Sequence, residues 1–199
     1  MDKQQTMPTL VIGLIGQNVS DKETISRIKK ELGGEQSIHY VLLSDIFRQY
    51  APIRGKKDPQ SLRELAQKIR VEYGAGAWIQ RLLSNLPKEK REGILIIDAI
   101  SNPGEIDLLR ELFGERALVM ATDFIELKQQ KGIQTEDRSW YGSDLRACLE
   151  KADFTIESNK PKEERLAEVS EAVSRFSRLA ELREKEEPQE EVRRERKVA

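Results

Sequence analysis

Five short apolar runs recur at wide intervals along the 199-residue chain, at positions 10–15, 38–43, 94–97, 117–121 and 154–156. Polar stretches with helical periodicity separate them. Strands alternating with helices predict an α/β fold with a five-stranded parallel sheet covered on both faces. The two central runs are apolar at every position, as doubly buried strands require. The first helix is expected to start near Ser20 or Asp21, both good N-cap types, and to end at Gly33-Gly34. Residues 44–86 are too many for a simple crossover. Within them 61–73 and 76–86 read as helices, forming a helical insert over one edge of the sheet. A polar stretch at 128–143, with Gly132 and Gly142, reads as a flap ahead of the helix that carries Cys148.

Pro161 opens a last helix with Leu166, Val169, Val173, Phe176 and Leu179 as its apolar positions. From Glu184 the pattern dissolves into a Glu/Lys/Arg-rich tail with too little apolar surface to pack. The expected organisation is an N-terminal extension at 1–8 and one domain at 9–180. That domain holds the insert at 44–88 and a short lid-like segment at 124–143; a charged tail occupies 181–199.

Composition narrows the class. The net charge is −1, so no global field draws nucleic acid or an anionic membrane. Charged residues make up 35% of the chain. Its longest apolar runs fall far short of the roughly 20 residues of a membrane span. The opening MDKQQTMP has no apolar signal-peptide core, and a cytoplasmic location is the expectation. A single cysteine excludes an internal disulfide framework, and one cysteine with one histidine argues against a Cys/His zinc site.

The chemistry concentrates between Thr9 and Thr24. An apolar strand breaks at Gly16, passes through a polar turn, and enters a helix start bearing Lys22. Such turns hold phosphate: backbone N–H groups curl around the anion and a lysine neutralises it. Against the pattern G-x-x-x-x-G-K-[ST], Gly16 and Lys22 are correctly spaced. Asp21 replaces the second glycine, Glu23 follows the lysine, and the hydroxyl comes one place later at Thr24. Asp21 adds a Cβ and a charge near the anion. Repulsion between unit charges at about 4 Å is roughly 1 kcal/mol in water and several times that in a partly buried site.

The candidate nucleotide-binding residues are Gly16, Gln17, Asn18, Val19, Ser20, Asp21, Lys22, Glu23 and Thr24. Lys22 is the candidate for the terminal phosphates. An ordinary strand–turn–helix with a surface lysine fits the same residues. A second signal is Asp98, which closes the run Gly93-Ile-Leu-Ile-Ile-Asp98. Ligands of parallel α/β sheets gather at the C-terminal ends of the strands. A carboxylate there either caps the next turn or, beside a phosphate loop, holds magnesium.

Four further segments carry a family resemblance. They are Val41-Leu-Leu-Ser-Asp-Ile-Phe-Arg48, Leu65-Ala-Gln-Lys-Ile-Arg-Val-Glu-Tyr-Gly-Ala-Gly-Ala-Trp78, Ile96-Ile-Asp-Ala-Ile-Ser-Asn-Pro-Gly-Glu-Ile-Asp-Leu-Leu-Arg110 and Ala147-Cys-Leu-Glu-Lys-Ala-Asp-Phe-Thr-Ile156, with Asn159 nearby. In order and spacing they resemble the blocks of phosphate-loop nucleotide kinases. The nearest branch looks like dephospho-CoA kinases, adenylate-kinase-like proteins and phage-type deoxynucleoside monophosphate kinases. The resemblance covers roughly residues 8–176. It implies a three-layer α/β/α P-loop NTPase fold and ATP- and Mg²⁺-dependent phosphoryl transfer to a nucleotide-like small-molecule acceptor. Lys22 and the loop amides would hold the donor phosphates, and Thr24 and Asp98 the metal. Asp45, Arg48 and Arg70 would line the acceptor site; Asp45 and Arg48 fall in what looks like the family's Asp-x-x-Arg turn.

Departures accumulate. Where the family reads D-G-I-R, this chain has Ala99 for the glycine and Ser101 for the arginine. The family's flap carries several arginines; residues 124–133 offer only Lys128 and Lys131. Lysine supplies charge without the bidentate fork. Arg138, in the following segment, is the remaining candidate for that clamp. A clamping arginine is worth about 10³–10⁵ in rate. The resemblance therefore implies either a kinase or a slow or inactive nucleotide-binding sensor of the same fold. An interaction module with a relic loop is a third reading.

His39 reads as a strand-edge side chain, and Trp78 and Cys148 as core; Trp140-Tyr141 in the flap is the better candidate for stacking a base. No nucleic-acid or membrane partner is expected. A protein partner at the tail, or a second copy of the chain, is the remaining possibility.

Overall fold

The computed structural model describes residues 7–16, 22–33, 37–50, 59–122, 144–157 and 159–178. Several expectations lie outside them: the roles of Gln17, Asn18, Val19, Ser20, Asp21 and Arg138, the lid at 124–143 with Trp140 and Tyr141, and the tail at 181–199.

In chain order the elements are β1 (Leu10–Ile15), α1 (Lys22–Glu31), β2 (Ile38–Leu42), α2 (Leu43–Tyr50), α3 (Pro59–Tyr73), α4 (Ala77–Asn85), β3 (Ile94–Asp98), α5 (Pro103–Phe113), β4 (Ala117–Thr122), α6 (Asp144–Glu150), β5 (Phe154–Ile156) and α7 (162–178). The five strands form one sheet in the order β2-β3-β1-β4-β5, and every pairing is parallel. β1 sits at the centre with both neighbours running alongside, so all six of its residues are buried.

Strand alternation splits the core into two layers. Leu10, Ile12 and Leu14 of β1 join Ile94, Ile96, Leu118 and Met120 on one face. That face is covered by Ile28 and Leu32 at the end of α1 and by Val169, Val173 and Phe176 of α7. Val11, Ile15, Leu95, Ile97, Val119 and Ala121 form the other face, under α2, α4, α5 and α6. Each of the larger side chains stabilises the fold by about 1.5–3 kcal/mol when fully removed from water. Trp78 is fully buried there. Its ring centroid lies 4.4 Å from that of Phe47, and its Nε1 donates to the Ala66 carbonyl at 3.1 Å.

Two contacts with β1 position the chain beyond β3. A Cβ on Gly13 would stand 2.5 Å from Cδ1 of Ile100, so the bare glycine makes room for the end of that side chain against β1. The Ile100 amide donates to the Leu14 carbonyl at 3.1 Å, tying the segment after β3 across the end of β1. α5 then starts on a complete capping box. Asn102 accepts from the Gly104 amide, Glu105 reaches back to the Asn102 amide, and Pro103 stands at the first turn.

The insert departs from expectation. The apolar pattern predicts that position 43 ends the second strand, and the family resemblance implies an Asp-x-x-Arg turn at Ser44–Arg48. Leu43 instead opens a helix, α2, so the described residues of the insert contain three α-helices. The ladder partner β3 ends opposite Leu42, at Asp98, so no strand remains to pair with Leu43. The spacing of Leu43, Ile46 and Phe47 buries one stripe of α2 against the core.

Candidate active site

Gly16 follows the end of β1 and Asp98 ends β3, and the two strands are neighbours in the sheet. At the end of β1, Gly16 has φ of 102°, a left-handed conformation that glycine adopts without strain. Lys22 and Glu23 are exposed in the first turn of α1. Glu23 is ion-paired with Lys162 near the start of α7, which fixes the carboxylate that follows the lysine. Thr24 is buried, one helical turn before Ile28 on the stripe that faces Ile94 and Ile96.

Asp98 is only 3% exposed. Alternation along β3 puts it on the Ile94–Ile96 face, the face that α1 covers. Its Oδ1 accepts from the Ala99 amide at 2.6 Å, and its Oδ2 accepts from the Tyr40 hydroxyl. Tyr40 lies two residues before Leu42, the register partner of Asp98. Burial, then the hydrogen bond to Asp98, pushes the Tyr40 hydroxyl well above the ordinary tyrosine range, so it remains a protonated donor. Ala99 has φ of 65°. That conformation costs a residue with a Cβ about 1–2 kcal/mol. It is the position where the resembling family has glycine.

Magnesium takes oxygen donors, commonly one or two carboxylates completed by substrate phosphates. Asp98 and Thr24 supply that chemistry in one layer of the fold. The described residues hold no group of three or more His, Cys, Asp or Glu that could bind a metal alone.

The acceptor candidates are committed differently. Arg48 Nη1 pairs with Asp45 at 2.5 Å within α2, both side chains about half exposed. Asp45 also lines a cleft of about 420 Å³ with Tyr40, Gln49, Asn85, Leu86 and Lys90. Arg70 reaches away to α5. Its Nη2 donates to Glu105 Oε1 at 2.7 Å and to Ser101 Oγ at 3.0 Å, and its Nε donates to the same carboxylate at 3.2 Å. The other oxygen of Glu105 accepts from the Ser101 and Asn102 amides at 3.1 and 3.2 Å. Glu105 is completely buried. Burial pushes its carboxyl upward, and Arg70 opposes that push. The Arg70 guanidinium also stands 5.9 Å above the Phe47 ring. The structure thus joins Asp45 to Arg48 and places Arg70 in a separate internal ion pair.

Tyr40 and Glu105 were not singled out from sequence. The pattern Asn102-Pro-Gly-Glu105 is a capping-box signature and could have marked Glu105. Tyr40 could be found only from the β2–β3 register. His39 does lie on the edge strand, half-buried, with Nε2 lacking a partner among the described residues. Trp78 and Cys148 are both core. Burial pushes the Cys148 thiol up to about 12, which makes it an inert packing residue.

Five parallel strands in the order 2-3-1-4-5, helices on both faces, and a central strand leading to a glycine turn and helix define a three-layer α/β/α fold of the P-loop kind. No family model matches the chain. It is 28% identical over 183 residues to the UPF0200 protein of Methanoregula boonei, covering 84% of this chain and 98% of that one. It is 25% identical over 188 residues to a UPF0200 protein of Pyrococcus horikoshii, covering 84% and 97%. A UPF0200/UPF0201 protein of Archaeoglobus fulgidus is 24% identical over 189 residues, covering 86% of this chain; the match spans 57% of that longer protein.

Among solved structures, a shikimate kinase from Aquifex aeolicus aligns with a TM-score of 0.43 at 19% identity, over 82% of this chain and 96% of that one. A gluconokinase from Sinorhizobium meliloti aligns with a TM-score of 0.47 at 14% identity, over 89% and 96%. Among the described residues no helix is long and apolar enough to cross a membrane.

Proposed function

We propose that the chain binds ATP with Mg²⁺ at the β1–α1 turn and transfers a phosphoryl group to a nucleotide-like small molecule. The observation that carries this reading is the buried, doubly hydrogen-bonded Asp98 at the end of β3, in the same layer as Thr24 of α1. Lys22, exposed at the head of α1, supplies charge where the helix N-terminus already favours an anion. Asp98 and the Thr24 hydroxyl would hold Mg²⁺, which neutralises phosphate oxygens when bound. Phosphoryl transfer of this kind depends on positioning and charge neutralisation.

The test is phosphate transfer from ATP to a panel of nucleoside monophosphates and dephospho-CoA, with Lys22→Ala as the control. Turnover above that control is expected; none above it would sink the catalytic reading.

A second reading, a nucleotide-binding sensor with little or no turnover, is favoured by the engaged arginines. Arg70 is held by Glu105 and Arg48 by Asp45, so neither is free-standing on the acceptor side. Calorimetric titration with ATP and Mg²⁺ separates the two. Tight binding without transfer supports the sensor, and no binding removes both.

A further inference from the structure

We infer that Tyr40 is the positioning residue for Asp98, and that its hydroxyl sets how strongly the site takes Mg²⁺; this rests on the nucleotide-site reading above. Tyr40 belongs to the edge strand β2 and pairs in register with Ile96 of β3. Its side chain therefore shares the face of Ile94, Ile96 and Asp98. About a third of its surface is exposed, so the ring is not a buried part of the core.

The side chain contributes a hydrogen bond to Oδ2 of Asp98, while the Ala99 amide holds Oδ1 at 2.6 Å. Two donors, one on each oxygen, fix the plane of the carboxylate. A carboxylate has about four acceptor positions, and these two donors take one on each oxygen. The donor chemistry suits a cation site. A phenol orients the carboxylate and adds no charge, whereas lysine or arginine would neutralise Asp98 and repel the metal. Removing such an outer partner of a metal-binding carboxylate typically costs about 10–100-fold in metal affinity.

The experiment is calorimetric titration of ATP into wild-type protein and Tyr40→Phe, each with excess MgCl₂ and with EDTA. The readout is the tightening that Mg²⁺ gives within each variant, so a reduced folded fraction enters both titrations and cancels. The expected result is a tightening at least about tenfold smaller in Tyr40→Phe, with EDTA affinity within about twofold of wild type. Asp98→Asn should show the same loss, and adding Tyr40→Phe to it should change nothing further.

A measurement on unmutated protein serves if the phenylalanine variant does not fold. With 3-fluorotyrosine incorporated, the Tyr40 fluorine signal should move on adding ATP with Mg²⁺ and stay in place with ATP alone. Full Mg²⁺ tightening in Tyr40→Phe, or a fluorine signal indifferent to Mg²⁺, overturns the inference. Wild-type protein that binds ATP equally with and without Mg²⁺ overturns it too, while leaving the nucleotide site standing. Wild-type protein that binds no ATP overturns the proposed function as well.

Discussion

The two ends of the candidate site are built on opposite plans. At the junction of β1, β3 and α1, a buried carboxylate is oriented by neutral donors and sits in one layer with a buried threonine. Across α2, α3 and α5, the charged candidates are matched to one another: Arg70 to Glu105, and Arg48 to Asp45. In the first arrangement the Tyr40 hydroxyl and the Ala99 amide orient the carboxylate without adding positive charge. The second cancels positive charge that a phosphate-bearing acceptor would otherwise meet. On the proposed reading, an acceptor would have to outcompete those pairs to engage Arg48 or Arg70.

The contrast can be broken most forcefully at Arg70. Arg70→Ala strands a fully buried Glu105, and removing one partner of a buried pair costs about 3–5 kcal/mol. Thermal denaturation should show a fall of about 10 °C. A variant of unchanged stability that loses acceptor binding would instead move Arg70 into the ligand site.

Next in size is Asp98→Asn. It should remove at least about tenfold, or 1.4 kcal/mol, from the Mg²⁺-dependent part of ATP affinity, read by titration with and without EDTA. Ala99→Gly should relieve the left-handed strain, offset in part by a more flexible unfolded chain. Denaturant unfolding should give a gain of up to about 1 kcal/mol. The smallest effect belongs to Arg48→Ala. Its exposed pair should be worth less than about 0.5 kcal/mol, and a larger loss in the same unfolding experiment would mean that α2 is held by more than its apolar stripe.

The sheet was largely legible because doubly buried strands leave uninterrupted apolar runs, as at 94–97 and 117–121. The same rule misled at Leu43. An apolar residue continuing a strand looks identical in sequence to one that opens a buried helix stripe, and only the length of the partner strand decides. Asp98 was legible because a charge ends an apolar run. Its partner Tyr40 was not, because the two lie 58 positions apart and meet only through β2–β3 register. Arg70 was legible as a motif residue. Its engagement was not, because Glu105 lies 35 residues further on, at the cap of another helix.

Gly13 has one more implication. The space that a methyl group would fill on the central strand is taken by the end of the Ile100 side chain, two residues beyond Asp98. The gap between the first strand and the carboxylate-bearing segment is therefore gauged by one absent carbon. A side chain at position 13 would act as a shim, and the end of Ile100 would have to give way to it.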